Sequence, residues 1–157
     1  MREHRIWSFP ALAVMALTVA YAAQETDGPV AGLWAAQALE GPVAARVERV
    51  IDGDTIEVQA KIWLGQSVMV RVRIAGIDSA ELHAHCAQER REAEAARLYL
   101  AARLTGKEVL LTHIGYDKYG GRVRANVNDR DGDVAQALLH EGFARPYRGE
   151  RRGSWCD

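Results

Sequence analysis

Two acidic motifs that flank an alternating run of residues constrain the fold more than any other part of the chain. The run from Ile56 to Val70 alternates apolar and polar residues about Leu64-Gly65-Gln66, which predicts two antiparallel strands joined by a tight turn. In such a hairpin, Asp54 faces approximately residue 76, and Asp78 lies just beyond it at the same end. The sequence therefore predicts that the carboxylates of Asp54 and Asp78 meet at one edge of the sheet.

An arginine and a third acid belong to the same cluster. Arg73 lies on the polar face of its strand, because Val72 and Ile74 take the opposite face. Glu81 follows Asp78 closely in the chain and so lies at the same end of the hairpin. Carboxylates grouped around an arginine indicate a polar site at this edge.

The composition indicates a globular domain but does not identify a partner. The chain has 157 residues, of which 48% are hydrophobic and 26% are charged, which suits one domain with a modest core. Its formal net charge of −1 is too close to zero to indicate a nucleic-acid-binding protein from global charge. Any such argument has to rest on local charge.

The N-terminal part has the pattern of an export signal followed by a spacer. Basic residues precede an apolar run, and Ala20-Tyr21-Ala22 offers a cleavage-site pattern, so residues 1–22 are predicted to be a signal peptide. The alternative is an uncleaved membrane anchor, since the apolar run approaches the length that spans a bilayer. Residues 23–44 are predicted to be a flexible linker, and residues 45–157 the folded domain. The domain is expected to be secreted or periplasmic, or held outside the cytoplasm by the anchor.

The two cysteines suit an oxidising compartment. Cys86 and Cys156 are predicted to form a disulfide that ties the C-terminal tail to the domain. The alternative is a transition-metal site formed by Cys86 with His83 and His85, which lacks a convincing fourth ligand.

The remaining pattern predicts an α+β fold that is mainly β. Strands are expected at about 46–51, 54–62, 67–77, 108–114 and 123–128, a long helix at 88–104, and a short helix from an Asp133 cap to Glu141. Five short strands with one long helix after the third predict a five-stranded Greek-key barrel with one long and one short helix.

Three motifs are similar to those of the thermonuclease (staphylococcal nuclease) family: Ile51–Thr55, Arg73–Glu81 and Asp117–Arg122, in that order. The similarity covers about Ala45 to Tyr147. The resemblance implies an OB-fold barrel and a calcium-dependent endonuclease that hydrolyses DNA and RNA with little sequence preference to 3′-phosphate products. Single-stranded or frayed substrates, no small-molecule cofactor and a monomer are expected.

The resemblance also implies which residues hold the metal and which acts as the base. Calcium takes oxygen ligands, and the carboxylates of Asp54 and Asp78 with the backbone carbonyl of Ser79 are the expected set. Glu81 is expected to accept the proton of the attacking water as a general base. Ala80 stands where the family usually has a proline, which would stiffen the loop that carries Glu81.

The remaining expected roles concern the substrate. Arg73 and Arg122 are expected to bind phosphate oxygens and to stabilise charge in the transition state. The Gly120-Gly121 turn is one residue longer than the family's spacing, so Arg124 is an alternative to Arg122. The residues expected to line the nucleotide site are Lys118, Tyr119 and Tyr147.

The tail and the overall function each leave an alternative. Arginines alternate with Tyr147 and Trp155 over residues 145–155, a mix typical of a surface that binds a phosphate backbone and stacks bases, although a solvated terminus has the same composition. A catalytically silent barrel that binds nucleic acid or protein is the alternative to an enzyme. Loss of the acids or arginines would mark such a module, and all of those positions are filled here.

Overall fold

The part of the chain described by the computed structural model is residues 38–156. The predicted signal peptide and most of the predicted linker therefore lie outside the described residues. Within residues 38–156, neither helix combines the length and the apolar character that a bilayer crossing requires.

Residues 38–156 form nine strands and two helices. The strands are β1 (Ala38–Leu39), β2 (Val43–Asp52), β3 (Thr55–Trp63), β4 (Gln66–Ile74), β5 (Ile77–Asp78), β6 (Glu108–Tyr116), β7 (Arg122–Asp129), β8 (Gly132–Asp133) and β9 (Arg145–Pro146). The helices are α1 (Ala87–Leu104) and α2 (Val134–His140).

Five of these strands form a closed barrel. Neighbours pair in the order β6-β2-β3-β4-β7, and β7 pairs again with β6, which closes the sheet. All of the pairs are antiparallel except β4 with β7, which is parallel. Since α1 follows the third barrel strand and α2 follows the fifth, the predicted OB-fold barrel with one long and one short helix is confirmed.

The alternating residues of the strands fill the barrel, and α1 packs one face against it. Helix α1 begins after Cys86, whose sulfur accepts a hydrogen bond from the backbone N–H of Glu89. Its buried residues recur at helical spacing: Ala93, Ala96, Leu100 and Leu104. The strand residues that are fully buried with them include Val47, Ile56, Val58, Val72 and Val127.

The hairpin of β3 and β4 differs from the prediction in register. Thr55 pairs with Arg73, and the backbone N–H of Ile74 donates to the carbonyl of Asp54 at 2.9 Å, so Asp54 lies opposite Ile74 instead of residue 76. Strand β4 also ends at Ile74 and not at 77, because the chain turns at Gly76, whose φ is 80°. This turn starts β5 and leads Asp78 back toward the barrel.

The sheet also includes residues that the sequence analysis placed in the linker. Strand β1 pairs with β6 at Ile114 and Gly115, and β2 begins at Val43. The region rich in Gly, Pro and Ala lacks the alternation that would have indicated strands.

Candidate active site

Asp54 is a buried carboxylate at the start of β3. It is 2% exposed, and its Oδ1 accepts hydrogen bonds from Arg73 Nη1 at 2.7 Å and from the Thr55 hydroxyl at 2.9 Å. Its Oδ2 accepts from the backbone N–H of Ser79 at 3.2 Å. Burial raises the pKa of Asp54 from 3.8 to about 7, although Arg73 opposes this change. Its hydrogen bonds and Arg73 therefore offset only part of the free-energy cost of burying the charged carboxylate.

Arg73 also binds Asp78, so the two carboxylates meet at this edge of the sheet as the sequence predicts. The Oδ1 of Asp78 accepts from Arg73 Nη2 at 3.5 Å and pairs with Arg152 Nε at 2.7 Å. Its Oδ2 accepts from the Trp155 indole N–H at 3.4 Å. Arg73 lies on the polar face of β4 as expected, but unlike Arg71 on the same face it is buried, with only 9% of the residue exposed.

Glu81 lies on the loop before α1 and is linked to Asp78 through Arg152. Its carboxylate contacts the guanidinium of Arg152, and its side chain is 53% exposed. Its backbone N–H donates to Glu89 Oε1 at 3.3 Å, which ties the loop to α1. The neighbouring Ala80 is buried against Ala93 and Trp155. Packing therefore restrains the loop at the position where the family usually has a proline.

Ser79 and Gly53 bring the loop and the β2–β3 turn into close contact. Gly53 does not adopt a positive φ; a Cβ at this position would lie 2.7 Å from the Cβ of Ala96 and 2.9 Å from the Cβ of Ser79. Glycine is required here because a side chain would collide with both neighbours. Ser79, which is 3% exposed, can therefore lie directly beside Asp54.

The donor set fits a hard divalent cation. The carboxylates of Asp54 and Asp78 are almost fully buried and supply oxygen ligands, as calcium prefers. Burial raises the pKa of Asp54 even though Arg73 lies 2.7 Å from its Oδ1, so one arginine does not fully offset the cost of burying the charged carboxylate. Asp54 and Asp78 would hold such a cation, and its positive charge would reduce this cost.

A basic cavity of about 460 Å³ opens beside the acids. It brings together all of the residues that the sequence analysis assigned to the substrate, with Arg152 in addition: Arg73, Lys118, Tyr119, Arg122, Arg124, Tyr147 and Arg152. Tyr147 is fixed at the edge of this cavity, because its backbone N–H donates to the carbonyl of Gly76 at 2.9 Å. The local positive charge is thus concentrated in a protein whose net charge is only −1.

Arg122 is held more firmly in this cavity than Arg124. Its guanidinium pairs with Asp117 and lies 4.9 Å from the centre of the Tyr119 ring. Burial raises the pKa of Asp117, but hydrogen bonds from Arg122 and from the backbone of Lys118 outweigh it and keep the pKa below its usual value. Arg124 is opposite Arg73 in the pairing of β4 with β7, and it is exposed.

The C-terminal tail folds onto the acids and is not a solvated terminus. Cys86 and Cys156 form a disulfide, so Cys86 is not available for the alternative transition-metal site. Trp155 is 8% exposed, and the guanidinium of Arg145 lies 3.8 Å from the centre of its ring. The sequence analysis placed Arg152 and Trp155 on a basic surface but did not place them against Asp78 and Glu81. The predicted disulfide could have indicated this position, because Cys86 follows the loop of Glu81 and Cys156 follows Trp155.

The closed barrel is an OB-fold, and comparison with known proteins identifies the family. The model of the family described as staphylococcal nuclease homologue matches residues 71–154. Protein ParB of Escherichia coli is 33% identical over 138 residues, which cover 82% of this chain and 71% of that protein. An uncharacterized endonuclease of Escherichia coli is 29% identical over 132 residues, which cover 73% of this chain and 78% of that protein. The chain therefore belongs to the staphylococcal nuclease homologue family.

Proposed function

We propose that the protein is a calcium-dependent endonuclease that hydrolyses DNA and RNA with little sequence preference and leaves 3′-phosphates. The observation that carries this proposal is the pair of nearly buried carboxylates, Asp54 and Asp78, which share Arg73 beside a basic cavity. Two relatives are named as uncharacterized endonucleases, which supports the endonuclease part of this proposal.

Two of the three acids would hold the metal, and the third accepts a proton. Asp54, Asp78 and the backbone carbonyl of Ser79 would hold calcium, and the ion, when bound, offsets negative charge on the scissile phosphate. Glu81 is the most exposed of the three acids, so water reaches its carboxylate. A carboxylate oxygen of Glu81 takes the proton from the water that attacks phosphorus. The bond from phosphorus to the 5′ oxygen then breaks and this oxygen takes a proton from solvent water, which leaves a 3′-phosphate and a 5′-hydroxyl.

The arginines are oriented before the substrate arrives. Asp54 and Asp78 fix Arg73, and Asp117 fixes Arg122, so neither guanidinium must be ordered during the reaction. Donors that are already oriented toward developing charge cost no reorganisation, which is the main source of electrostatic catalysis. The remaining N–H groups of both side chains bind phosphate oxygens.

The cavity lining explains why we propose little sequence preference. Lysine and arginine recognise phosphates, and the rings of Tyr119 and Tyr147 offer stacking surfaces that accept any base. Stacking requires an exposed base face, which single-stranded or frayed substrates provide and an intact duplex does not.

We also propose that the domain acts outside the cytoplasm. The disulfide between Cys86 and Cys156 suits an oxidising compartment, and the sequence of residues 1–22 has the pattern of an export signal. N-terminal sequencing of the protein from its native cell tests this: a start near residue 23 supports export with cleavage, and an intact Met1 supports the membrane anchor.

The proposed reaction is tested with a covalently closed single-stranded DNA circle. In calcium, we expect linear molecules first and short fragments later, with no product in a chelator. Phosphatase treatment should convert the product ends to 3′-hydroxyls that a polymerase extends. A circle that stays intact while linear DNA is degraded would contradict endonuclease action, and ends that a polymerase extends without phosphatase would contradict 3′-phosphate products.

A further inference from the structure

We infer that Arg152 is a positioning residue for the proposed reaction, which fixes the carboxylate of Glu81 beside Asp78 and is itself fixed by the disulfide-anchored tail. This inference rests on the proposed function, because it concerns the residue proposed there as the base.

One planar guanidinium bridges the two acids. Arg152 Nε pairs with Asp78 Oδ1 at 2.7 Å, and Arg152 Nη1 contacts Glu81 Oε1. A guanidinium presents its N–H groups in a fixed fork, so binding to two carboxylates sets their relative positions. The Asp78 side chain is only 7% exposed and is also held by Arg73 and Trp155, so pairing with Asp78 fixes the guanidinium that contacts Glu81.

Glu81 needs such a restraint more than the other acids do. Its side chain is 53% exposed and stands on a loop, where a glutamate otherwise samples several rotamers. A general base must be within hydrogen-bond distance of the proton that it removes, and a displacement of about 1 Å can lower the rate severely. Backbone restraints at Ala80 and at the Glu81 N–H fix the loop but not the carboxylate.

Arg152 is held in place by the residues on its C-terminal side, which are anchored to the domain. Cys156 is bonded to Cys86 at the start of α1, and Trp155 packs against Ala80 and Ala93. Arg145 adds a hydrogen bond from its Nη1 to the carbonyl of Ser154 at 2.8 Å. A freely moving tail could not hold a guanidinium in one place, whereas this tail can.

The test is a double-mutant cycle with Arg152→Gln and Glu81→Gln, measured as steady-state cleavage of single-stranded DNA in calcium. Because Arg152 acts through Glu81, we expect Arg152→Gln to lower kcat by about tenfold or more with KM unchanged within about twofold. In the Glu81→Gln background the same substitution should change nothing, since a pair that acts as a unit is not additive. Arg152→Lys should restore part of the loss, because an ammonium can pair with one carboxylate but cannot bridge both.

Arg151→Gln is the matched control. It removes the same charge from the adjacent, exposed residue, so the effect of Arg152→Gln is read relative to it. A second readout needs no metal: in a chelator, the anisotropy of a labelled oligonucleotide should give the same affinity for both variants within about twofold.

Each of the following results would overturn the inference. Loss of oligonucleotide affinity with an additive effect in the Glu81→Gln background would make Arg152 a phosphate-binding residue, and a rise in kcat would make it an inhibitory contact. Arg152→Lys as inactive as Arg152→Gln, with both melting temperatures near that of the wild type, would exclude a role for charge pairing. If the wild-type protein itself cleaves nothing, the proposed function fails and this inference falls with it; if only the cycle is additive, this inference alone fails.

Discussion

Asp54 shows how a single residue combines burial with charge. Its oxygens are occupied by Arg73, Thr55 and the Ser79 backbone, yet burial still raises its pKa to about 7. Retaining an acid there costs stability at neutral pH, which suits a residue that serves a ligand and not the fold.

This cost predicts a pH dependence of stability. The pKa of Asp54 is about 7 in the folded state and near 3.8 when unfolded, so between these values only the folded chain holds the proton. The stabilisation from this proton is fully present below pH 4 and is lost as pH rises through 7. In a chelator, the free energy of unfolding of wild type relative to Asp54→Asn should fall over this range, as measured by urea unfolding. A difference that stays flat with pH would contradict the burial argument.

The two candidate arginines can be separated by substitution. Arg122 is held by Asp117 and Tyr119, and Arg124 is exposed, so we expect Arg122 to be the catalytic one. Arg122→Gln should lower kcat by about 10²- to 10³-fold, and Arg124→Gln by less than about tenfold. The measurement is single-turnover cleavage of one oligonucleotide by both variants. The reverse order would assign the role to Arg124.

At the residue scale, the sequence predicts which acids come together but not which groups offset their negative charge. The alternation of β4 places Arg73 on the polar face, and this is correct. Whether a polar face meets solvent or a buried acid depends on the turn at Gly76, which leads β5 and Ser79 over that face. Such a non-local contact leaves no periodicity in the sequence.

At the scale of elements, the turn before β3 and the loop before α1 pack against each other beside Asp54. Gly53→Ala places a Cβ against Ala96 and Ser79, so we expect a loss of about 1–3 kcal/mol in the free energy of unfolding, with reduced activity. Gly120→Ala is the control for stability, since a Cβ there would meet nothing within 4 Å. Urea unfolding of both variants is the measurement. Equal stabilities would show that the turn can shift without cost.

The tail is an element held by its covalent link. The two bonded cysteines are 70 residues apart in the sequence, so removing the disulfide opens a loop of that length in the unfolded chain. In the chain-entropy model, the paired substitution Cys86→Ser with Cys156→Ser should cost about 4 kcal/mol of stability. Thermal unfolding of the oxidised wild type and the paired variant tests this, with reduced wild type expected to match the variant. No difference between them would show that the packing of Trp155 holds the tail without the link.

At the element scale, boundaries and register were the weaker predictions. Periodicity predicts the five barrel strands and both helices, but it does not specify which residues form the hairpin turn, so Asp54 lies opposite Ile74 and not residue 76. The predicted disulfide indicates that the tail approaches the loop of Glu81. It does not specify which tail side chain faces the acids, and Arg152 therefore required the structure.

Over the whole molecule, the order of elements was sufficient to predict the barrel, and net charge was uninformative about the site. A net charge of −1 conceals a cavity in which arginines, a lysine and tyrosines adjoin buried acids. Closure of β6 against β7 places these groups at one end of a rigid scaffold. We propose that this end of the barrel is a metal-dependent nuclease centre with Glu81 as its base.

The most direct measurement is the release of acid-soluble nucleotide from single-stranded DNA by the full-length protein, in calcium and in a chelator, beside Glu81→Gln. Glu48→Gln, which removes the same charge from an exposed residue of β2, is the control. We predict calcium-dependent release by wild type and Glu48→Gln, and a fall of about 10²- to 10⁴-fold in Glu81→Gln. A folded wild type that releases nothing, yet shifts labelled DNA without calcium, would contradict the account and indicate a binding barrel.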